Sequence, residues 1–158
     1  MKVVVFGSHR SGKTTFVASL GPIDHPTGMI SGGEKTTVSY DLCIKEHDGY
    51  RLYIYGTPGL DRFEFARKTI AYGLHIGVIL VDSTRCMTDF ERETFTALKS
   101  NNVPCIVLAN KADQPGASLD NIRNATGGHV QVLSISAKTG YGKDSALNAI
   151  LEMAKKLE

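Results

Sequence analysis

The sequence predicts an α/β domain with a six-stranded, mostly parallel sheet, one antiparallel edge strand and helices on both faces. Short apolar runs alternate with segments of helical periodicity along all 158 residues, and this alternation is typical of βαβ units. Three of the runs are apolar throughout, as strands covered on both faces are: Val3–Phe6, Val78–Val81 and Ile106–Ala109. The length fits one domain over residues 1–158.

The elements follow from these patterns in chain order. The predicted strands are Val3–Phe6, Val38–Glu46, Arg51–Tyr55, Gly77–Val81, Cys105–Ala109 and Val130–Ser134. The second strand alternates apolar and polar residues, and the turn signal at 47–49 folds it back on the third, which places it at a sheet edge. The predicted helices are Lys13–Leu20, Phe63–Gly73, Thr88–Ser100, Leu119–Thr126 and Ser145–Lys156. Gly21–Thr36 is predicted to be a long functional loop, because it shows no periodicity.

The composition excludes several classes of function. The chain has 18 Lys and Arg against 16 Asp and Glu, a balance too even for direct nucleic-acid binding or a polybasic membrane surface. Three scattered cysteines without a CxxC pair favour a reducing, cytoplasmic location. Lys2 stands where myristoylation needs glycine, and the final residues contain no cysteine for prenylation. We therefore predict no intrinsic lipid anchor.

The segment Gly7–Thr14 has the pattern GxxxxGK[ST] between a predicted strand and a predicted helix, which is the context that this motif requires. Backbone N–H groups of such a loop wrap a polyphosphate, and the helix N-terminus adds the positive end of its dipole. Lys13 is predicted to neutralise the β and γ oxygens, and the Thr14 hydroxyl to ligate Mg²⁺. The predicted nucleotide-binding residues of this loop are His9, Arg10, Ser11, Gly12, Lys13, Thr14 and Thr15.

The segment Asn110–Asp113 reads Asn-Lys-Ala-Asp at the end of a predicted strand. A carboxylate can accept hydrogen bonds from both N1–H and N2–H₂ of guanine, and adenine offers no matching pair of donors. A buried carboxylate left without donors loses its solvation uncompensated. Asp113 is therefore predicted to read guanine, while the aliphatic part of Lys111 packs along the plane of the base.

These motifs, in this order and spacing, resemble those of the Ras-like small GTPases, closest to the Rab-type members and their bacterial and archaeal relatives. The resemblance covers essentially the whole chain and includes a third motif, SAK, at Ser136–Lys138. It implies a P-loop NTPase G domain that binds GTP, GDP and Mg²⁺. It also implies that Asn110 ties the loops together, that the Ala137 N–H donates to the guanine O6, and that Ser136, Ala137 and Lys138 contact the nucleotide.

The segment Thr36–Asp41 resembles the end of switch I in Rab-type proteins. The resemblance aligns Thr37 with the threonine that ligates Mg²⁺ and senses the γ-phosphate, with Thr36 as the adjacent alternative. Residues 21–37 would then be switch I, ordered only when a γ-phosphate is present. Together with switch II at 56–73, they are the predicted docking surface for effectors and for activating and exchange proteins, while the oligomeric state stays open.

The segment Gly56–Phe63 resembles the family's DTAGQERF motif with two departures. Gly56 replaces the aspartate of the Mg²⁺ shell, and Asp82 is a candidate substitute, although an Asp that caps its loop is the alternative for it. Leu60 replaces the glutamine that orients the attacking water. Gly59 keeps the N–H that can sense the γ-phosphate.

These departures predict slow intrinsic hydrolysis, below a rate on the order of 10⁻⁴ s⁻¹. His9 adds to the effect, because the family has a small glycine there, close to the γ-phosphate. Arg10 is the candidate arginine supplied in cis, and Arg62 is a further one. The predicted catalytic residues are Arg10, Lys13, Thr37 and Gly59.

Four functions follow as hypotheses. The first is a molecular switch that hydrolyses GTP slowly, and the second is a pseudo-GTPase that holds its nucleotide as a protein-binding module. A P-loop kinase or ATPase is disfavoured by the motifs at 110–113 and 136–138. A ribosome-associated GTPase is disfavoured by the near-neutral charge and by the lack of a recognisable RNA-binding segment.

Overall fold

A computed structural model of the chain describes residues 1–24, 27–32, 34–58, 68 and 70–158, with the backbone alone for 27–32 and 34–39. The strands are β1 (Lys2–Phe6), β2 (Ile23–Asp24), β3 (Thr27–Gly32), β4 (Glu34–Ser39), β5 (Asp41–His47), β6 (Tyr50–Gly56), β7 (Ile76–Asp82), β8 (Cys105–Asn110) and β9 (Val132–Ser134). The labelled helices are α1 (Lys13–Leu20), α2 (Asp89–Ser100), α3 (Leu119–Ala125) and α4 (Lys143–Lys155). The helix predicted over Phe63–Gly73 lies mostly outside the described residues, although Lys68, Ile70 and Ala71 are helical.

The main sheet has the order β2-β5-β6-β1-β7-β8-β9. Strands β6, β1, β7, β8 and β9 run parallel, while β5 is antiparallel to β6 and β2 is antiparallel to β5. The α/β class with a mostly parallel sheet is confirmed, but the described sheet has seven strands rather than six. The additional strand, β2, pairs at only Ile23↔Cys43 and Asp24↔Leu42, which is too short for a periodic signal. Because β2 lies outside β5, the predicted edge position of the hairpin strand is also wrong.

Most of the predicted loop Gly21–Thr36 is paired backbone. Strands β3 and β4 form a separate antiparallel pair with a register from Thr27↔Ser39 to Gly32↔Glu34. The predicted strand Val38–Glu46 is consequently divided at Tyr40, which lies between β4 and β5. Strand pairing depends on backbone hydrogen bonds, so it needs no alternation of apolar side chains.

The turn between β5 and β6 confirms the predicted hairpin. The strands pair from Asp41↔Gly56 to His47↔Tyr50, and the two residues between them, Asp48 and Gly49, have φ values of 49° and 81°. Positive φ at both central positions is what a type I′ turn requires, and Asp-Gly is among the sequences that tolerate it.

The two faces of β1 divide the core. Val3 and Val5 pack with buried residues of α1 and α4, and Val4 and Phe6 pack with buried residues of α2 and α3. The carboxyl ends of β1, β7, β8 and β9 point to one sheet edge, so the loops at 7–12, 83–88, 111–118 and 135–142 gather there, as ligand-binding loops of open α/β sheets do. None of the helices among the described residues is long and apolar enough to cross a bilayer.

Candidate functional site

The loop after β1 has the backbone of a phosphate-binding turn. Arg10 and Gly12 have left-handed φ values of 63° and 100°, and the Ser11 N–H donates to the Ser8 carbonyl at 3.1 Å. A Cβ on Gly12 would lie 2.3 Å from Asn110 Nδ2. Because both the conformation and the space exclude a side chain, position 12 requires glycine.

Lys13 places a cation at the centre of this loop. Its side chain is buried, and Nζ donates to the Gly7 and Ser8 carbonyls at 2.8 Å each. The helix that begins at Lys13 adds the positive end of its dipole at the same place. An ammonium group and a helix N-terminus together favour an anion in front of the loop, as the sequence predicts.

A cavity of about 330 Å³ opens in front of Lys13. Thr14 and Asp41 face each other in it, with Thr14 Oγ1 donating to Asp41 Oδ2 at 2.6 Å. The other lining residues are His9, Arg10, Gly12, Lys13, Thr15, Tyr40, Gly56, Thr57 and Pro58. We call this the phosphate-side cavity.

Asn110, at the end of β8, joins the phosphate loop to the loop after β9. It is 3% exposed, Nδ2 donates to the Ser11 carbonyl at 2.9 Å, and Oδ1 accepts from the Ala137 N–H at 2.9 Å. The predicted tie between loops is therefore present in the structure. The Ala137 N–H, however, is bonded to Asn110 rather than left open for a guanine O6, so a base carbonyl would have to share that donor.

Asp113 lies at a second, smaller cavity of about 130 Å³, the base-side cavity, which shares Gly12 and Thr15 with the first. Its Oδ1 accepts from the Ser136 hydroxyl at 2.7 Å. This hydrogen bond is the main cause that lowers the pKa of the exposed Asp113 carboxyl below its ordinary value, which favours the ionised acceptor. The predicted residues Lys111, Ala137 and Lys138 also line this cavity.

Asp82 does not line the phosphate-side cavity; of its two predicted roles, the structure shows the Asp that caps its own loop, bonded to the Thr84 N–H, rather than a substitute for the missing Mg²⁺-shell carboxylate. Its Oδ2 bonds Lys111 Nζ at 2.7 Å, and Oδ1 accepts from the N–H and hydroxyl of Thr84. Burial opposes ionisation, but these hydrogen bonds lower the pKa of Asp82 below its usual value. Asp82 therefore orients Lys111 beside the base-side cavity.

Ser11 is buried, and its Oγ has no hydrogen-bond partner within the described part of the chain. His9 and Arg10 are exposed and line the phosphate-side cavity. Four residues of the switch predictions, Gly59, Leu60, Asp61 and Arg62, lie outside the described residues. Thr36 and Thr37 lie in β4, opposite Ile30 and Met29, and their side chains are likewise outside the description.

Two carboxylates at the phosphate loop were missed in the sequence analysis. In the sequence, Asp41 is only the last residue of the segment that resembles switch I. Glu91 is 2% exposed, and its Oε1 accepts from the Ser8 N–H at 3.2 Å, while its Oε2 accepts from the Thr88 N–H at the start of α2. The Thr88-x-x-Glu91 capping box was a readable signal for that helix start, although nothing in it indicates a contact with Ser8, 83 positions away.

Comparisons with known proteins agree with this geometry. The family model of the elongation factor Tu GTP binding domain matches residues 1–156. An uncharacterized protein of Methanocaldococcus jannaschii is 30% identical over 152 residues, which are 96% of this chain and 95% of that protein. Translation initiation factor IF-2 of Caulobacter vibrioides is 30% identical over 166 residues, and the match spans 99% of this chain but 16% of the factor.

Among solved structures, translation elongation factor SelB from Methanococcus maripaludis, in complex with the GTP analogue GppNHp, has a TM-score of 0.76. The match covers 98% of this chain and 34% of that one at 23% identity, so it supports the fold alone. The P-loop GTPase G domain is confirmed by the sequence matches. The Rab-type resemblance is not confirmed, because the named functions among these relatives belong to translation factors. The chain belongs to the family of the elongation factor Tu GTP binding domain.

Proposed function

We propose that the chain is a guanine-nucleotide-binding molecular switch, which binds GTP and GDP with Mg²⁺ and hydrolyses GTP slowly. The observation that carries the proposal is the double hydrogen bond of Asn110. It holds the phosphate loop and the loop after β9 together, so the Lys13 ammonium and the Asp113 carboxylate line adjoining cavities. A nucleotide laid across Gly12 and Thr15 would meet a cation at its phosphates and an acceptor pair at its base.

The chemistry of each cavity matches one part of the nucleotide. Lys13 and the N-terminus of α1 attract the phosphates, and the Thr14 hydroxyl offers a hard oxygen to Mg²⁺. The metal would neutralise phosphate charge when bound. At the other end, Asp113 accepts from guanine, Lys111 packs on its plane, and Ser136 to Lys138 enclose it.

The partners proposed for the chain follow the switch assignment. Residues 21–37 and 56–73 are the proposed contacts for effectors and for activating and exchange proteins in the cytoplasm, without direct nucleic-acid contact. IF-2 and SelB match this chain over only 16% and 34% of their lengths. We therefore transfer nucleotide binding from them, and not their wider tasks in translation.

Nucleotide competition tests the proposal. A fluorescent GTP analogue bound to the purified chain should be displaced by GTP and by GDP. A hundredfold excess of ATP should leave it bound, because adenine has no donor pair for Asp113. Displacement by ATP would contradict guanine recognition, and failure of the analogue to bind would contradict the proposal as a whole.

Hydrolysis separates the switch from the pseudo-GTPase, which is favoured by the absence of a water-orienting glutamine at position 60 and by His9 at the phosphate-side cavity. Leu60→Gln should raise the single-turnover rate of phosphate release from GTP about tenfold or more, because an oriented acid–base group typically contributes 10²–10⁴-fold. The rate is measured with a phosphate sensor under Mg²⁺.

Leu157→Gln is the matched control, since Leu157 is 44% exposed near the C-terminal end of the chain, and its rate should equal that of the unmodified chain. A measurable rate that Leu60→Gln leaves unchanged would mean that another group positions the water. Absence of phosphate release from both the unmodified chain and the Leu60→Gln variant would favour the pseudo-GTPase.

A further inference from the structure

The carboxylate of Asp41 occupies the space that a side chain at position 56 would need. A Cβ built on Gly56 would lie 3.2 Å from both Asp41 Cβ and Asp41 Oδ2, and 3.4 Å from Val17 Cγ2. Asp41 and Gly56 are direct partners in the antiparallel pairing of β5 and β6. Directly opposed residues point to the same face of a sheet. A carboxylate carried by β5 therefore reaches the same place as one carried by β6.

Asp41 also sets the direction of the Thr14 hydroxyl. Thr14 Oγ1 donates to Asp41 Oδ2 at 2.6 Å, a length typical of a charge-assisted hydrogen bond. A hydroxyl has one proton and two lone pairs. Because the hydroxyl proton points at Asp41 in this hydrogen bond, the oxygen lone pairs face the cavity. A hydroxyl needs this orientation in order to ligate a cation.

The donor set suits Mg²⁺ bound together with a nucleotide. Mg²⁺ prefers oxygen ligands, keeps several waters, and is commonly held by one or two protein oxygens plus substrate phosphates. Thr14 and Asp41 supply such oxygens at the phosphate-side cavity, beside the Lys13 ammonium. In the described part of the chain no group of three or more His, Cys, Asp or Glu residues could hold a metal by itself, so the phosphates would have to complete the coordination.

We infer that Asp41 is the positioning residue of the Mg²⁺ site, and that it supplies from β5 the carboxylate that Gly56 on β6 lacks. It orients the Thr14 hydroxyl, whose oxygen would hold the metal. This inference rests on the proposed function, because the site is formed only with a bound guanine nucleotide.

Asp41→Asn tests the inference through the Mg²⁺ dependence of nucleotide release. The dissociation rate of fluorescently labelled GDP is measured in Mg²⁺ and in EDTA, and Mn²⁺ binding to the GDP-loaded chain is measured by electron paramagnetic resonance. We expect the slowing by Mg²⁺ and the Mn²⁺ affinity each to fall about 10- to 100-fold, the range usual for outer-shell ligands. The rate in EDTA should change less than about twofold.

Asp48→Asn is the matched control, because Asp48 is exposed in the turn at the opposite end of the β5–β6 hairpin, and it should leave both readouts unchanged. Asp82→Asn separates the two candidate carboxylates. Asp82 bonds Lys111 at the base-side cavity. The Asp82→Asn variant should therefore release GDP faster by the same factor in Mg²⁺ and in EDTA.

The exchanged pair Asp41→Gly with Gly56→Asp provides the rescue. It returns one carboxylate to the same space from β6, so it should recover most of the Mg²⁺ effect that Asp41→Asn removes, with folding checked by thermal melting. Gly56→Asp alone should destabilise the chain, because both side chains then compete for that space.

An unchanged Mg²⁺ effect in Asp41→Asn would overturn the inference, and so would a folded exchanged pair without recovery. A chain that binds no guanine nucleotide even in EDTA would instead contradict the proposed function, and the inference would fall with it.

Discussion

Asp113→Asn is expected to weaken GTP binding about 100-fold or more. In the proposed site the carboxylate would accept from two guanine donors, whereas an amide offers one acceptor and turns an N–H₂ group towards the second donor. Losing one hydrogen bond to a charged group costs about 1.5–3 kcal/mol, and the guanine donor left unsatisfied costs about 1–3 kcal/mol more, which together lower the affinity by roughly two powers of ten or more. Ser136 holds the carboxylate in place and lowers its pKa, which keeps it a double acceptor at neutral pH.

Calorimetric titration with GTP measures this effect, and Asp120→Asn, at an exposed position in the first turn of α3, is the control expected to match the unmodified chain. Xanthosine triphosphate gives a second readout. Xanthine carries a carbonyl where guanine carries N2–H₂, so the amide of the variant can donate to it, and the variant should prefer the xanthine nucleotide. Unchanged affinity for GTP would remove Asp113 from base recognition.

Asn110→Ala is expected to lower the free energy of unfolding by about 2–6 kcal/mol. The change leaves the Ser11 carbonyl and the Ala137 N–H without their partner, and each buried polar group left unsatisfied costs about 1–3 kcal/mol. Because the same two bonds hold the phosphate loop against the loop after β9, affinity for both GDP and GTP should fall as well.

Urea unfolding of the nucleotide-free chain, followed by far-UV circular dichroism, measures the change in stability. Asn121→Ala is the control, because Asn121 is exposed on α3, and surface substitutions usually stay within about 0.5 kcal/mol. Unfolding of Asn110→Ala at the same urea concentration as the unmodified chain would show that other contacts hold the two loops together.

The elements with strong periodicity were predictable, and those that depend only on backbone pairing were not. Buried strands such as β1 and β8 and the amphipathic helix α4 bury a regular pattern of side chains, which is visible in a single sequence. Strand β2 has two residues, and β3 and β4 pair in a segment without alternation. Their hydrogen bonds leave no side-chain pattern, so residues 21–36 of these strands are predicted as a loop from the sequence.

The same distinction holds for the residues of the candidate site, where contiguous motifs were predictable and contacts between distant segments were not. Residues that act within one contiguous motif, such as Lys13 with Thr14 and Asn110 with Asp113, were identified because backbone geometry and ligand chemistry dictate their spacing. Asp41 was not identified as a partner of Thr14, because their contact joins positions 27 apart. The two roles predicted for Asp82 stayed open for the same reason, since only the folded chain shows that it caps its loop at Thr84 and bonds Lys111.

The sequence alone determined that this protein has a phosphate-loop motif, an Asn-Lys-Ala-Asp motif and an alternating α/β architecture, because each of them is a contiguous motif or a periodic pattern of residues. It also showed that position 56 has no carboxylate. The tertiary structure decided which side chain fills that space, because antiparallel pairing places Asp41 opposite Gly56, and strand register is a property of two segments together rather than of either one.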